Sequence, residues 1–206
     1  MIRSRTLIKL AGSILVALIL GLGTGWLAVL GAVQASGVTN GPWFTSLAIG
    51  STASGPYARA QIALTGLLAL NKSEAVYFTA THDSAGEALT GACDYRITGR
   101  NMAARWWSLT AYGADNFLIP NEADRYSFNV TSLGLRASPL GRWEVIASAA
   151  PRPGEAGKGN RLPVADGEFF SLTLRLYNPA PRVVEAPGEI ALPAIERLAC
   201  REGAAS

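Results

Sequence analysis

The sequence predicts a mainly β protein: an antiparallel, jelly-roll-like or sandwich domain with one or two short helices, preceded by a single transmembrane helix. Two observations carry this prediction. An uncharged apolar run lies near the N-terminus, and several short segments beyond it alternate between apolar and polar residues, separated by turn formers. The chain has 206 residues, and about 170 remain after the N-terminal 35, which is enough for a sizeable core.

The N-terminal run predicts a membrane span at residues 10–33. These 24 residues carry no charge, and as a helix at ~1.5 Å per residue they reach ~36 Å. A bilayer's hydrocarbon core is ~30 Å thick, so the run can cross it with some tilt. Arg3, Arg5 and Lys9 precede the run, and no charge follows before Arg59. The positive-inside rule therefore predicts a cytoplasmic basic tip at residues 1–9 and an exported remainder.

Two alternatives at the N-terminus stay open. A cleaved signal peptide would have Val33-Gln34-Ala35 as a weak cleavage site, but its apolar region is usually ~7–15 residues, so the longer run favours an uncleaved anchor. Gly21 and Gly25 have the small-xxx-small spacing that lets membrane helices approach closely. This spacing motivates a third hypothesis, a structural protein acting through helix association, although glycine is common in membrane helices.

The charge distribution excludes nucleic acid as a partner. The chain has 18 basic and 15 acidic residues, a net charge of +3, and a pI of about 9.1. The entire excess comes from the three basic residues of the N-terminal tip. The remainder has 15 of each sign, and a neutral domain lacks the electrostatic footprint that phosphate backbones require.

The exported part divides into a linker and a β-rich domain. Residues 34–55 are rich in Gly, Ser and Thr and predict a linker that begins to dock at Trp43 and Phe44. The domain occupies 56–206 and begins with a predicted helix over 56–71. Residues 150–167 form a long Pro/Gly-rich connection, and the tail from Asn178 is predicted to run along the surface.

Six segments of the domain have strand character. In Phe169–Tyr177, the clearest of them, the residues Phe170, Leu172, Leu174 and Leu176 face one way and the intervening polar residues face the other. The other five predicted strands are Ala75–Ala80, Cys93–Thr98, Trp107–Tyr112, Arg125–Val130 and Trp143–Ala147.

The two cysteines predict a disulfide between Cys93 and Cys200. An exported domain lies in an oxidising compartment, where two cysteines are paired more often than free. The bond would close a loop of about 107 residues and attach the tail to the sheet. No Cys-x-x-Cys motif is present, which argues against redox catalysis.

Few catalytic chemistries fit the composition. His82 is the only histidine, and there is no Gly-x-Ser-x-Gly elbow, so a serine hydrolase is disfavoured. We expect no metal site and no cofactor, because zinc needs more ligands and no nucleotide-binding fingerprint is present. Asp115, Glu122 and Asp124 lie between two strands and motivate an alternative function, a carboxylate-dependent hydrolase.

Arginines and aromatic residues mark the predicted ligand-binding surface. On a sheet face such residues can stack on sugars or hold anionic groups. The competing interpretation is that Trp107 and Leu109 belong to the core and that Arg125 caps a turn. The candidate ligand-binding residues are Arg105, Trp106, Tyr112, Asn121, Arg125, Tyr126, Arg175 and Tyr177.

Several ordered motifs resemble a known family. Trp107–Tyr112 matches a Trp-Ser-Leu-Thr-x-Tyr motif, Phe117–Asn121 matches Phe-Leu-x-Pro-Asn, and Arg125–Ser127 matches Arg-Tyr-Ser. They are followed by Asn160–Pro163 and the strand Leu172–Tyr177. This pattern, with Asp83, Gly86, Leu89 and Tyr95, resembles the domain of unknown function 1214 (DUF1214) over about residues 75–180. Arg161 departs from the pattern, because the family usually has Trp there.

The resemblance implies a β-rich jelly-roll-like fold and no established reaction. Many relatives carry an additional 1254-type domain, and this sequence looks like the short form without it, anchored in the inner membrane of Gram-negative bacteria. We therefore expect a single-pass protein with a periplasmic domain. The leading functional hypothesis is a non-catalytic module that binds an envelope component, a glycan or a lipid-linked group.

Overall fold

The structure is a computed structural model that describes residues 4–51, 53–64, 70–132, 141–151 and 159–201. Within these residues it has ten strands and three α-helices, so the predicted mainly β class is confirmed. The helices are α1 (Ser4–Gly31), α2 (Pro56–Leu64) and α3 (Pro181–Glu185). The strands are β1 (Gly37–Asn40), β2 (Trp43–Ser46), β3 (Ala75–Ala80), β4 (Cys93–Arg100), β5 (Ala104–Gly113), β6 (Ser127–Asn129), β7 (Arg142–Ser148), β8 (Arg161–Pro163), β9 (Phe170–Pro179) and β10 (Ala194–Cys200).

The strands form two sheets. The larger has six strands in the order β1-β2-β3-β9-β5-β6, and the smaller has four in the order β10-β4-β7-β8. All pairings are antiparallel except β7 with β8, which is parallel. The predicted loop over 150–167 includes β8, and its residues 152–158 lie outside the described residues.

A single apolar core fills the space between the sheets. The alternation predicted for β9 is confirmed, because Leu172, Leu174 and Leu176 are fully buried in this core. The rings of Trp107 on β5 and Trp143 on β7 stack with centroids 4.8 Å apart and join the two sheets. Alternation along β3, β5 and β9 therefore directs one set of side chains into the core and leaves the other on the outer face of the larger sheet.

The predicted linker over 34–55 contains β1 and β2, which extend the larger sheet beyond β3. Trp43 explains why strands form where the sequence predicts a linker. Its side chain is fully buried, and its Nε1 donates a hydrogen bond of 2.7 Å to the carbonyl of Pro193. Burying a Trp releases a large apolar surface from water, which offsets the entropy of ordering a Gly- and Ser-rich segment.

The C-terminal tail contains a further strand, where the sequence predicts only a surface segment. Strand β10 pairs with β4, from Ala194 opposite Thr98 to Cys200 opposite Cys93. The predicted disulfide between these two cysteines is confirmed. Of the seven β10 residues only Ile195 is buried, so the strand has no clear alternating pattern in the sequence.

The N-terminal helix α1 is long and apolar enough to cross a membrane, as the sequence predicts. None of its most apolar window is buried against the rest of the protein, which is compatible with a single-pass membrane anchor. The basic residue Arg3 lies outside the described residues. The helix predicted over 56–71 is observed as α2 up to Leu64, and its residues 65–69 also lie outside them.

Asp83 holds the turn between β3 and β4. Its buried carboxylate accepts hydrogen bonds from the backbone amides of Ala85 and Glu87 at 2.9 and 3.0 Å, and it pairs with Arg197 of β10. We expect Asp83→Asn to lower the free energy of unfolding by about 2 kcal/mol, because hydrogen bonds to charged groups contribute ~1.5–3 kcal/mol. Urea denaturation of the full chain measures this change.

The control for this prediction is Asp166→Asn. Asp166 also pairs with an arginine, Arg201, but its side chain is 74% exposed, and exposed ion pairs contribute ~0–1 kcal/mol. An equal effect of the two substitutions would contradict the assigned role of Asp83.

Candidate functional site

A groove of about 480 Å³ lies on the outer face of the larger sheet. Its floor is the non-core face of β3, β9 and β5. Its roof is formed by residues 47–51, 53–64 and Leu70, here called the cover segment. The residues that line the groove are Val33, Gln34, Phe44, Thr45, Ile49, Gln61, Ile62, Leu70, Tyr77, Thr79, Tyr112, Asn116, Ser171, Thr173, Arg175 and Tyr177.

Strand register assembles the floor. Arg175 on β9 lies opposite Tyr77 on β3 and opposite Ser108 on β5. Because side chains directly opposite each other project from the same face of a sheet, the alternating polar residues of the three strands meet on one surface. Thr173 is paired with Thr79 and Thr110 in the same way.

Arg175 is the central polar side chain of the groove. Its guanidinium donates hydrogen bonds to Oγ1 of Thr110 at 3.2 Å and to the hydroxyl of Tyr112 at 2.5 Å. The carbon at its centre also lies over the rings of Tyr112 and Tyr77, 5.2 and 6.0 Å from their centroids. These contacts orient the cation through neutral groups, by hydrogen bonding and by attraction to the ring faces.

No carboxylate balances this cation among the described residues. The ion pairs there involve Arg96, Arg197 and Arg201, and the described groove lining contains no Asp or Glu. A guanidinium has five N–H donors, so Arg175 has donors left after its two hydrogen bonds. The groove therefore presents a half-buried positive charge with unused donors, which is the recognition chemistry of a carboxylate or phosphate group.

The cover segment contributes apolar side chains. Ile49, Ile62 and Leu70 line the groove, together with Phe44 of β2. Gly50 lies against Leu70, the other end of the cover segment. Its φ is 73°, and a Cβ at this position would lie 1.7 Å from the carbonyl oxygen of Leu70. Only glycine permits this close approach of the two backbones.

Gln61 connects the cover segment to the N-terminal helix. Its side-chain Oε1 accepts a hydrogen bond from the backbone amide of Val33 at 2.8 Å, and its Nε2 donates one to the carbonyl of Leu30 at 2.9 Å. The last carbonyls of a helix lack partners within it, so Gln61 satisfies one of them at the end of α1. The groove is thereby held beside the end of the apolar helix.

The structure brings together three of the predicted ligand-binding residues. Tyr112, Arg175 and Tyr177 line the groove. Trp106 contacts Tyr177 edge-on, with ring centroids 5.2 Å apart, and borders the site. Arg105 lies on β5 but is exposed and is not part of the lining.

The other three predicted residues lie in a separate turn before β6. Asn121 closes this turn by bonding to the backbone amide and carbonyl of Arg125. Arg125 donates to the carbonyls of Gly159 and Arg161 and lies over the ring of Phe128. The role of Asn121 and Arg125 here is to hold the turn against β8, which agrees with the competing interpretation given for Arg125.

Tyr126 in the same turn interacts with a carboxylate and not with the groove. A hydrogen bond to Asp124 and the negative charge of that carboxylate raise the pKa of the Tyr126 hydroxyl above its ordinary value. The hydroxyl is therefore a hydrogen-bond donor to Asp124 within the turn.

The residues considered for catalysis do not converge on the groove. Asp115 accepts a hydrogen bond from the amide of Phe117 in its own turn, and Glu122 and Asp124 are exposed. His82 is exposed and contacts the hydroxyl of Thr81. In the part of the chain that the structure describes, no three His, Cys, Asp or Glu residues are grouped to hold a metal.

Sequence reasoning did not identify the cover segment or the β3 side chains as part of the site. Tyr77 and Thr79 were recognisable in principle, because alternation in β3 places them on the face opposite Val76 and Phe78. Ile49, Ile62 and Leu70 carry no such signal, since only the folded chain shows that they pass over the sheet.

Fold and site together define a class of protein: a two-sheet β domain with a membrane-competent N-terminal helix and a cationic groove. The family model described as "Protein of unknown function (DUF1214)" matches residues 74–181, just over half of the chain, and the chain belongs to this family. The match confirms the resemblance drawn from the motifs. It contains the groove floor of β3, β5 and β9, whereas the cover segment lies outside it.

The chain is also similar to solved structures. The chain is similar to the VPA0106 protein from Vibrio parahaemolyticus, with 27% identity and a TM-score of 0.58 over 72% of this chain. It spans 36% of the length of that protein. An uncharacterized protein from Burkholderia cenocepacia matches with 22% identity and a TM-score of 0.41, covering 63% of this chain and 31% of that one. No protein of curated function matches the chain.

Proposed function

We propose that this protein is a membrane-tethered, non-catalytic domain of the bacterial periplasm that binds an anionic component of the cell envelope in its groove. The N-terminal helix, which is long and apolar enough to cross a membrane, supports membrane attachment. The basic residues before the helix support a cytoplasmic N-terminus. The disulfide between Cys93 and Cys200 supports an oxidising compartment for the domain.

One observation carries the proposal: Arg175 lines the groove with neutral partners only, within the part of the chain that is described. Partly desolvating a cation without a counter-charge is costly, and a bound anion would remove that cost. The hydroxyl of Tyr112 accepts from Arg175, so its own proton remains available to an anionic oxygen. Arg175 and Tyr112 can thus both donate hydrogen bonds to one carboxylate or phosphate group.

The groove suits binding better than hydrolysis. Its described lining offers an arginine, tyrosines, hydroxyls and amides, which hold a ligand, and contains no His, Asp or Glu to act as a general base. The carboxylates of the hydrolase hypothesis lie in turns outside this lining.

We expect Arg175→Gln to weaken binding of an anionic envelope ligand by about 10- to 100-fold, because a hydrogen bond to a charged group contributes ~1.5–3 kcal/mol. The measurement is a titration of the full chain in phosphatidylcholine nanodiscs with N-acetylmuramic acid, glycerol 3-phosphate and lysophosphatidate.

Arg105→Gln is the matched control, since it removes the same charge from an exposed position of β5 outside the groove. Arg175→Lys retains the charge without the planar donor pair and should have intermediate affinity. Absence of binding by all three probes, or equal affinities of the Arg175→Gln and Arg105→Gln variants, would refute the proposal.

A further inference from the structure

We infer that the groove takes its occupant from the bilayer, and that this occupant is a single-chain amphiphile with an anionic headgroup. The headgroup, a carboxylate or a phosphate monoester, is held by Arg175, and the acyl chain lies under the cover segment. This inference rests on the proposed anion-binding function and adds the chemical class and the origin of the ligand.

The first argument is the position of the groove relative to the apolar helix. The helix α1 ends at Gly31, and its near neighbours Val33 and Gln34 already line the groove. A helix that crosses the bilayer places these residues at the outer interface. The groove therefore begins at the depth of the lipid headgroups, and a ligand can enter it without crossing water.

The second argument is the exposed apolar surface of the cover segment. Tyr57 and Leu64 of α2 are 51% and 61% exposed, and Leu70 is 38% exposed while also lining the groove. Gln61 holds this helix against the end of α1. This contact places α2 beside the end of the membrane-competent helix, so the exposed apolar side chains of α2 and Leu70 give an apolar path from the bilayer to the groove.

The third argument is the direction in which Arg175 extends within the groove. Arg175 extends toward Thr110 and Tyr112, at the end of the floor marked by Ser171. Ile62 follows Gln61, which is bonded to the end of α1. An amphiphile thus fits with its headgroup innermost and its chain directed back toward the membrane.

The dimensions favour one chain. The floor runs along β9 from Ser171 to Tyr177, six residue steps or about 20 Å at ~3.3 Å per residue. A volume of about 480 Å³ is within the ~300–1,000 Å³ of small-molecule sites. An acyl chain laid along this floor would meet Phe44, Ile49 and Ile62, the apolar side chains of the lining.

The experiment is photo-cross-linking of the full chain in phosphatidylcholine nanodiscs. The probes are a palmitate analogue and a lysophosphatidate analogue, each with a diazirine in the acyl chain, followed by peptide mapping. We expect cross-links in residues 44–64 and 70–79, competed by unlabelled palmitate or lysophosphatidate and not by glycerol 3-phosphate at the same concentration. The probe with the higher cross-linking yield identifies the headgroup as a carboxylate or a phosphate.

Two variants test the acyl-chain contact and the headgroup contact of the ligand separately. Ile62→Asn should reduce labelling at least 5-fold, whereas Ala63→Asn, exposed on the same helix and outside the lining, should not. Arg175→Gln should reduce labelling by both probes. If glycerol 3-phosphate binds as tightly as lysophosphatidate and Ile62→Asn has no effect, this inference is overturned while the proposed function stands. If no anionic probe binds at all, both fail.

Discussion

Replacing Cys93 and Cys200 together by alanine is expected to lower the free energy of unfolding by about 4–5 kcal/mol. The disulfide spans 107 residues, and in the chain-entropy model a loop of about 100 residues contributes ~4.7 kcal/mol by restricting the unfolded chain. Urea denaturation of the full chain in nanodiscs, followed by tryptophan fluorescence, measures the change. A loss below about 1 kcal/mol would contradict this account of how the tail is held.

Two controls accompany this double substitution. Reducing the wild-type protein with a thiol should reproduce most of the loss and should have no effect on the variant. Acid quenching of cells, followed by maleimide alkylation in denaturant so that the buried Cys93 is accessible, reports whether the cysteines are oxidised where the protein resides. Complete protection of the wild-type cysteines before reduction, and labelling of both after it, is the result expected for a periplasmic domain.

Loss of the disulfide should destabilise mainly the edge of the smaller sheet. Strand β10 is an edge strand whose pairing register shifts between Arg197 and Cys200. The ion pair of Arg197 with Asp83 and the bond from Ile195 to Ser84 hold the rest of the strand. We therefore expect amide exchange to rise first in β10, and then around Trp43, whose indole donates to Pro193 just before this strand.

Strands β3 and β9 were predictable from sequence because alternate residues in each strand enter the apolar core. The predicted strand over Ala75–Ala80 agrees with β3, and the strand over Phe169–Tyr177 agrees with β9 to within two residues. Each carries a run of alternate apolar residues in the core. This pattern is a direct consequence of strand geometry and needs no knowledge of the partner strand.

Strands β1, β2 and β10 were not predicted because their pairing partners determine them. Strand β2 is four residues long and pairs with β3 through Phe44 opposite Thr79. Strand β10 has a single buried residue. Strands β1 and β2 have four residues each and contain no usable period, and β10 pairs with β4, which is distant in sequence.

The candidate site was predictable in part for the same reason. Alternation in β5 and β9 placed Tyr112, Arg175 and Tyr177 on the polar face. Asn121 and Arg125 were predicted as ligand-binding residues because they lie in a segment rich in Arg and aromatic residues. In the structure their polar groups close a turn. Composition alone does not distinguish a side chain that is available to a ligand from one already paired with the backbone.

Replacing Trp107 by alanine is expected to lower the free energy of unfolding by about 3–5 kcal/mol, the range for removing a buried aromatic side chain. Trp107 is 1% exposed, and its stacked contact with Trp143 is where β5 of the larger sheet meets β7 of the smaller. The cavity left behind would lie between two sheets that are each held by their own hydrogen bonds, so little collapse is available to reduce the cost. Urea denaturation measures the change.

Trp107→Phe tests whether the cost comes from lost packing. The buried Nε1 of Trp107 has no hydrogen-bond partner among the described residues, so phenylalanine removes an unsatisfied donor while retaining an aromatic ring against Trp143. We expect this variant to lose less than about half as much stability as Trp107→Ala. Equal stabilities of the alanine and phenylalanine variants would show that the sheets are not joined through this ring.

The substitution should also affect the groove. Because Ser108, Thr110 and Tyr112 follow Trp107 on β5, a destabilised sheet contact should disturb the partners of Arg175. The alanine variant should therefore bind the anionic probes more weakly than the phenylalanine variant.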